Sequence, residues 1–154
     1  MLNPIKRIVQ FNQDAGLLGK GYDDFLESSF QIEEALEGFD LNSFADTGIP
    51  FDEDEDGPKE LSRQIVKIAM NSGNEDITDV DRLDKACDSV VYAIGSMAKL
   101  GLSAQEITQA LNIVMDKNLE KLRNKSYDAE GKLLKDPSFV GPEAQLQLLL
   151  DKRK

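Results

Sequence analysis

Apolar residues along this chain recur at three- and four-residue steps, the helical period, and no run alternates with the period of two that a half-buried strand shows. Residues 4–12, PIKRIVQFN, predict a short first helix with Pro4 tolerated in its opening turn. DAGLLGKG (14–21) carries three glycines and reads as a loop. A second helix is expected from Tyr22 to Gly38, with Gly38 as its stop. Residues 39–57 read as irregular, bounded by the turn signals TGIP and EDGP. A third helix starts near Pro58 and covers ELSRQIVKIAMNSG, with Leu61, Ile65, Ile68 and Ala69 on one face. The fourth runs from Asp79 to Leu100, stops at Gly101, and bears a broad apolar stripe of Leu83, Cys87, Val90, Val91, Ile94 and Ala98. Ser103 opens the fifth through SAQE, a capping box with Glu106 at the third helical position. Ile107, Ala110, Leu111, Val114 and Leu122 follow, and the pattern fades near Asn124. SYDAEGKLLKDPSFVGPE (126–143) reads as a loop with a short hairpin at Glu130-Gly131, and 142–151 form a last short helix. The expected class is all-α: a bundle of four main helices with short flanking helices, in one domain over residues 1–154.

Composition narrows the chemistry. With 154 residues, 40% hydrophobic and 31% charged, the chain has the make-up of an ordinary soluble protein. No apolar run approaches the ~20 residues of a membrane span. MLNPIKRIVQF lacks a signal-peptide core, so a cytoplasmic location is expected. The single cysteine, Cys87, excludes an internal disulfide and agrees with a reducing compartment. The absence of histidine excludes a His-ligated zinc hydrolase and a Ser-His-Asp catalyst, so any metal would be held by oxygen: Mg²⁺, Mn²⁺ or Ca²⁺.

The net charge of −11 argues against a non-specific nucleic-acid binder. Residues 21–58 hold thirteen acidic side chains and no Lys or Arg, whereas Lys117, Lys121, Arg123, Lys125, Lys132 and Lys135 cluster late. In FDEDEDGPKE, Asp52, Asp54, Asp56 and Gly57 fit the opening of an EF-hand loop. The bidentate Glu that should close such a loop is here Arg63, so the stretch reads as a solvated acidic connector.

Two helices place carboxylates against the grain. On the second, Glu27, Phe30, Glu34 and Glu37 share a side, with Glu33 beside them and no base near to relieve the repulsion. Each like-charge pair costs about 0.2–0.5 kcal/mol when exposed. On the fourth, Asp84 and Asp88 fall on the side of Cys87 and Val91, expected to be the buried one. Unpaired burial there would cost several kcal/mol each, and a divalent cation would relieve it.

In this order the motifs resemble those of the MazG-like, all-α nucleoside triphosphate pyrophosphohydrolases, which include dimeric dUTPases and phosphoribosyl-ATP pyrophosphohydrolase. EEALE (33–37) matches the E-E-x-x-E half of that signature, and DKACD (84–88) looks like its D-x-x-x-D variant. Asn118 and Lys121 supply an N-x-x-K, and EGKLLK resembles a G-K-x-x-K segment ending in Lys132 and Lys135. The gap from Glu37 to Asp84 is longer than in compact members, and Asp84 stands where a Glu is usual. The resemblance implies Glu34, Glu37, Asp84 and Asp88 as ligands of Mg²⁺ or Mn²⁺, with Glu33 or Glu34 orienting the attacking water. It further implies that Asn118, Lys121, Lys132 and Lys135 contact the phosphates, and Asn12 the base. A homodimer or homotetramer is expected on the same ground, with a nucleotide as substrate and neither nucleic acid nor membrane as partner. The alternatives are an acidic binding protein, such as a phage-type inhibitor or DNA mimic, and an inactive nucleotide-binding member of the superfamily.

Overall fold

The computed structural model describes residues 1–48, 57–73, 76–124, 126–129 and 133–152. Its α-helices are α1 (Pro4–Asp14), α2 (Asp24–Leu36), α3 (Gly57–Asn71), α4 (Asp79–Lys99), α5 (Ala104–Lys121) and α6 (Glu143–Asp151). Three 3₁₀ turns, Leu18–Lys20, Asn42–Thr47 and Leu122–Asn124, join them. Among the described residues every regular element is helical, apart from one antiparallel bridge between Tyr127 and Leu133. That bridge brackets the expected hairpin, whose turn residues lie outside the described ones. None of the described helices is long and apolar enough to cross a membrane.

Local chemistry explains the ends. Asn3 Oδ1 caps α1 by accepting from the amides of Ile5 (3.0 Å) and Lys6 (3.3 Å), and Pro4 fills the first turn, where its missing N–H is no loss. Asp23 caps α2 in the same way, through Phe25 N and Leu26 N. Gly101 takes a left-handed φ of 86° after α4; its amide bonds Ala98 O at 2.8 Å while Leu102 N reaches back to Met97 O. This is a Schellman stop, completed by Met97 packing on the core cluster that contains Leu102. Two residues later Ser103 and Glu106 exchange the expected capping-box bonds at the start of α5.

The chain clusters into two compact units, Tyr22–Thr78 and a unit made of Met1–Gly21 with Asp79–Lys154. The second is organised around α5, against which α1, α4 and α6 all pack. Leu102, Ile107, Ala110 and Leu149 form its core, with Met97, Leu111, Leu146 and Leu150 packed on them. Arg7 ties α1 to α5 by donating to Asn112 O at 3.1 Å, to Asn112 Oδ1 at 2.8 Å and to the Asp116 carboxylate.

In the Tyr22–Thr78 unit, α2 and α3 pack side by side with Ser29, Leu61 and Ser62 fully buried. Small serines at buried positions let helix axes approach closely. The expected apolar face of α3 needs correction. Leu61 is buried and Ile65 half-buried, but Ile68 and Ala69 are exposed, and burial passes instead to Ser62, Arg63 and Val66. Arg63 draws the face toward itself because its charge has a partner on α2, described below. On α4 the departure is larger: no residue is buried, and the stripe expected to face inward is exposed. Met97 packs on the α5 core, so the inward side of α4 lies beside the apolar stripe and does not coincide with it.

Candidate functional site

The end of α5 gathers the late cations. Lys117, Asn118 and Lys121 are spaced i, i+1 and i+4, so all three project from neighbouring positions of the last turn. Lys121 Nζ donates to Asn118 Oδ1 at 3.0 Å, and Lys117 Nζ to the Glu120 carboxylate at 3.2 and 3.3 Å. The next turn adds Arg123. Cations at a helix C-terminus complement its partial negative charge. Any anion bound here is therefore held by side chains and not by the helix dipole.

Opposite these cations stands a turn that the local sequence dictates. In Asp136-Pro137-Ser138-Phe139, Pro137 holds the second position, and Phe139 N bonds Asp136 O at 2.9 Å. Asp136 Oδ1 accepts from Ser138 N at 2.8 Å and from the Ser138 hydroxyl, an Asx arrangement that locks the turn. The turn presents the Phe139 ring to two ammonium groups, Lys121 Nζ at 5.4 Å from the centroid and Lys135 Nζ at 5.9 Å. Each such contact contributes roughly 0.5–1 kcal/mol at exposed sites. Between the helix end and the turn lies a pocket of about 380 Å³, lined by Lys117, Glu120, Lys121, Arg123, Asp136, Ser138, Phe139 and Val140. That volume suits a small ligand. Three lining cations outnumber two carboxylates, and the aromatic face offers an apolar surface beside them.

Of the residues expected to contact substrate, Asn118, Lys121 and Lys135 are thus brought together, by the hydrogen bond and the shared ring. Lys132 lies outside the described residues, as do the acidic-connector positions 51–56. Asn12 sits half-buried on α1 and donates to Ile8 O at 2.8 Å, within its own helix. It is not among the residues lining the pocket.

The carboxylates fall in different settings. Glu33 is 2% exposed, and its Oε2 accepts from Arg63 Nη1 at 2.8 Å. Arg63, 9% exposed, also donates to Ser62 Oγ (3.0 Å) and Lys59 O (3.2 Å), and lies 5.5 Å from the Phe30 ring centroid. Glu34 and Glu37 are exposed, one helical turn apart around the end of α2. Asp84 and Asp88 are exposed on α4, which corrects the expectation that they line a buried side. None of these four carboxylates enters an ion pair among the described residues. Among the described residues no group of three or more metal-ligating side chains converges.

Two participants were not singled out from the sequence. The Asp-Pro-Ser turn carried its own signal, an Asx residue followed by proline, but not the aromatic it would aim. Arg63 was noted only as a misfit in a calcium loop; a lone arginine amid an apolar helix face was the available sign of a buried partner. Compared with known proteins, the chain matches no protein-family model, no curated protein and no solved structure.

Proposed function

We propose that the protein is a Mg²⁺-dependent nucleotide pyrophosphohydrolase, cleaving a (d)NTP or related nucleotide to the monophosphate and pyrophosphate. The observation that carries this reading is the convergence of Lys121 and Lys135, chosen from sequence as phosphate contacts, on one aromatic ring beside a cationic pocket. The ammonium groups of Lys117 and Lys121 and the Arg123 guanidinium would bind phosphate oxygens, and the Phe139 ring would receive an apolar or planar part of the ligand. The order of EEALE, DKACD and the Asn118–Lys121 pair along the chain supports the same reading.

Each of the carboxylate pairs Glu34/Glu37 and Asp84/Asp88 would offer oxygen ligands to Mg²⁺. They are oxygen donors, exposed, and outside any ion pair among the described residues, which fits a hard cation. When bound, that ion supplies charge neutralisation on the phosphates and a lowered pKa for the attacking water. In the hydrolysis the water oxygen bonds the α-phosphorus, the bridging P–O bond to pyrophosphate breaks, and a carboxylate takes the water's proton. Glu34 suits that task better than Glu33, whose carboxylate is already engaged by Arg63.

The engaged Glu33 also favours a second reading, a superfamily relative that binds nucleotide without hydrolysing it. Incubating the full chain with Mg²⁺ and a panel of standard and modified (d)NTPs and phosphoribosyl-ATP, scoring pyrophosphate, separates the two. The expected result is Mg²⁺-dependent pyrophosphate release that Asp88→Asn abolishes. Calorimetric binding of a nucleotide with no pyrophosphate from any of the panel would leave the second reading, and neither binding nor release would end both.

A further inference from the structure

Charge in the pocket at the end of α5 is answered only in part within the protein. Lys117 Nζ faces the Glu120 carboxylate at 3.2 and 3.3 Å, so these two lining groups offset each other. The Asp136 carboxylate is turned back on its own turn, where it accepts from Ser138 N at 2.8 Å and from the Ser138 hydroxyl. Lys121 Nζ and Lys135 Nζ rest on the Phe139 ring. Arg123 is exposed and makes no hydrogen bond or ion pair among the described residues. Its planar fork of N–H donors, open at the pocket wall, matches two oxygens of one phosphate. Lys117, Lys121 and Arg123 against Glu120 and Asp136 leave one positive charge in excess, and Lys135, behind the ring, makes it two.

We infer that this pocket takes a single phosphoryl group without a metal ion: the dianion of a phosphate monoester whose planar or apolar body lies along Phe139 and Val140. Charge decides among the phosphates. A monoester brings about −1.5 to −2 at neutral pH and three acceptor oxygens, enough for the Arg123 fork and the Lys121 ammonium together. A diester lacks the second charge, and metal-free pyrophosphate or triphosphate brings more than the lining can answer. The ammonium groups leave the ring readily for such a dianion, because a charge-assisted hydrogen bond is stronger than an exposed cation–π contact. The ring face they vacate then receives the body of the ligand, for which about 380 Å³ leaves room beyond the phosphate. The inference rests on the proposed function only for which phosphate the site serves. Cleavage turns the α-phosphate from a singly charged link into a monoester dianion, so the pocket favours the monophosphate product and should hold it after pyrophosphate has left.

Calorimetry of the full chain in EDTA, at about pH 7.5 where a monoester is dianionic, tests the site with four probes. Phenyl phosphate should bind tightest, and inorganic phosphate roughly tenfold more weakly for want of a body against Phe139. Methyl phenyl phosphate, a diester, should be weaker than phenyl phosphate by at least about tenfold, and pyrophosphate no tighter than inorganic phosphate. Arg123→Ala, at an exposed position, should weaken phenyl phosphate roughly tenfold with an unchanged circular-dichroism spectrum. Phe139→Leu should bring phenyl phosphate close to inorganic phosphate. No binding of phenyl phosphate without Mg²⁺ overturns the inference. Equal binding of the diester, a preference for pyrophosphate, or indifference to Arg123→Ala, the mark of an adventitious ion only, does the same. The reaction is scored separately by Mg²⁺-dependent pyrophosphate release. Release without phenyl phosphate binding keeps the reaction and ends the monoester site; phenyl phosphate binding with no release from any nucleotide keeps the site and ends the reaction.

Discussion

Glu33 is the residue on which sequence and structure make opposite demands, and its replacement measures which is right. Its carboxylate is 2% exposed and shares a 2.8 Å bond with Arg63, itself 9% exposed. Removing one member of such a pair leaves an uncompensated charge in a low-dielectric setting and costs about 3–5 kcal/mol. Glu33→Ala should therefore loosen α2 against α3 by that amount. At about 1.4 kcal/mol per decade, amide hydrogen exchange in α2 and α3 should quicken by at least ~100-fold. Glu33→Gln keeps an acceptor for the guanidinium and should fall between. The double change Glu33→Met with Arg63→Met removes both charges, and Ser62 Oγ still donates to Lys59 O at 2.8 Å. Its cost should be near zero, since apolar replacements of buried pairs are often neutral or better. A Glu33→Ala protein with exchange within tenfold of the original would refute the buried pair, as would a double variant no better than the single. If Glu33 instead acts on the water, Glu33→Gln would abolish pyrophosphate release while leaving protection largely intact.

Three other outcomes follow from the same geometry. Ser29 Oγ is buried without a hydrogen-bond partner among the described residues; Ser29→Ala removes that unmet need and favours the helix, so thermal unfolding should show a gain of about 1 kcal/mol. Gly101→Ala places a Cβ at φ 86° in the turn between α4 and α5, and denaturant titration should show a loss of about 1 kcal/mol. Lys121→Ala withdraws a cation from the pocket and from the Phe139 ring; pyrophosphate or nucleotide affinity, measured by calorimetry, should fall by roughly tenfold, with a shallower dependence on salt.

The helix ends were readable because caps are local. Ser103 and Glu106 meet across three residues, and Gly101 needs only its own φ and two neighbouring carbonyls, so four letters carry the first instruction and six, Met97–Leu102, the second. Lys121 and Lys135 were identified as phosphate contacts from motif order, but the ring that brings them together depends on a turn fifteen residues beyond α5. Arg63 was harder still: its partner lies thirty positions earlier on another helix, and nothing in the spacing of either one names the other.

The periodicity of α4 was read correctly and its consequence was not, for a physical reason. Hydrophobic spacing establishes that a stripe gains free energy when covered, whereas the identity of the cover depends on everything else that could reach it. The contacts of α4 with α5 run through Met97, beside the stripe, and the stripe stays in water. The case for a metal at Asp84 and Asp88 had rested on their sharing a buried side with Cys87 and Val91. Exposed aspartates need no such compensation, so a cation there would be drawn by the like charges of the pair themselves and not by any cost of burying them.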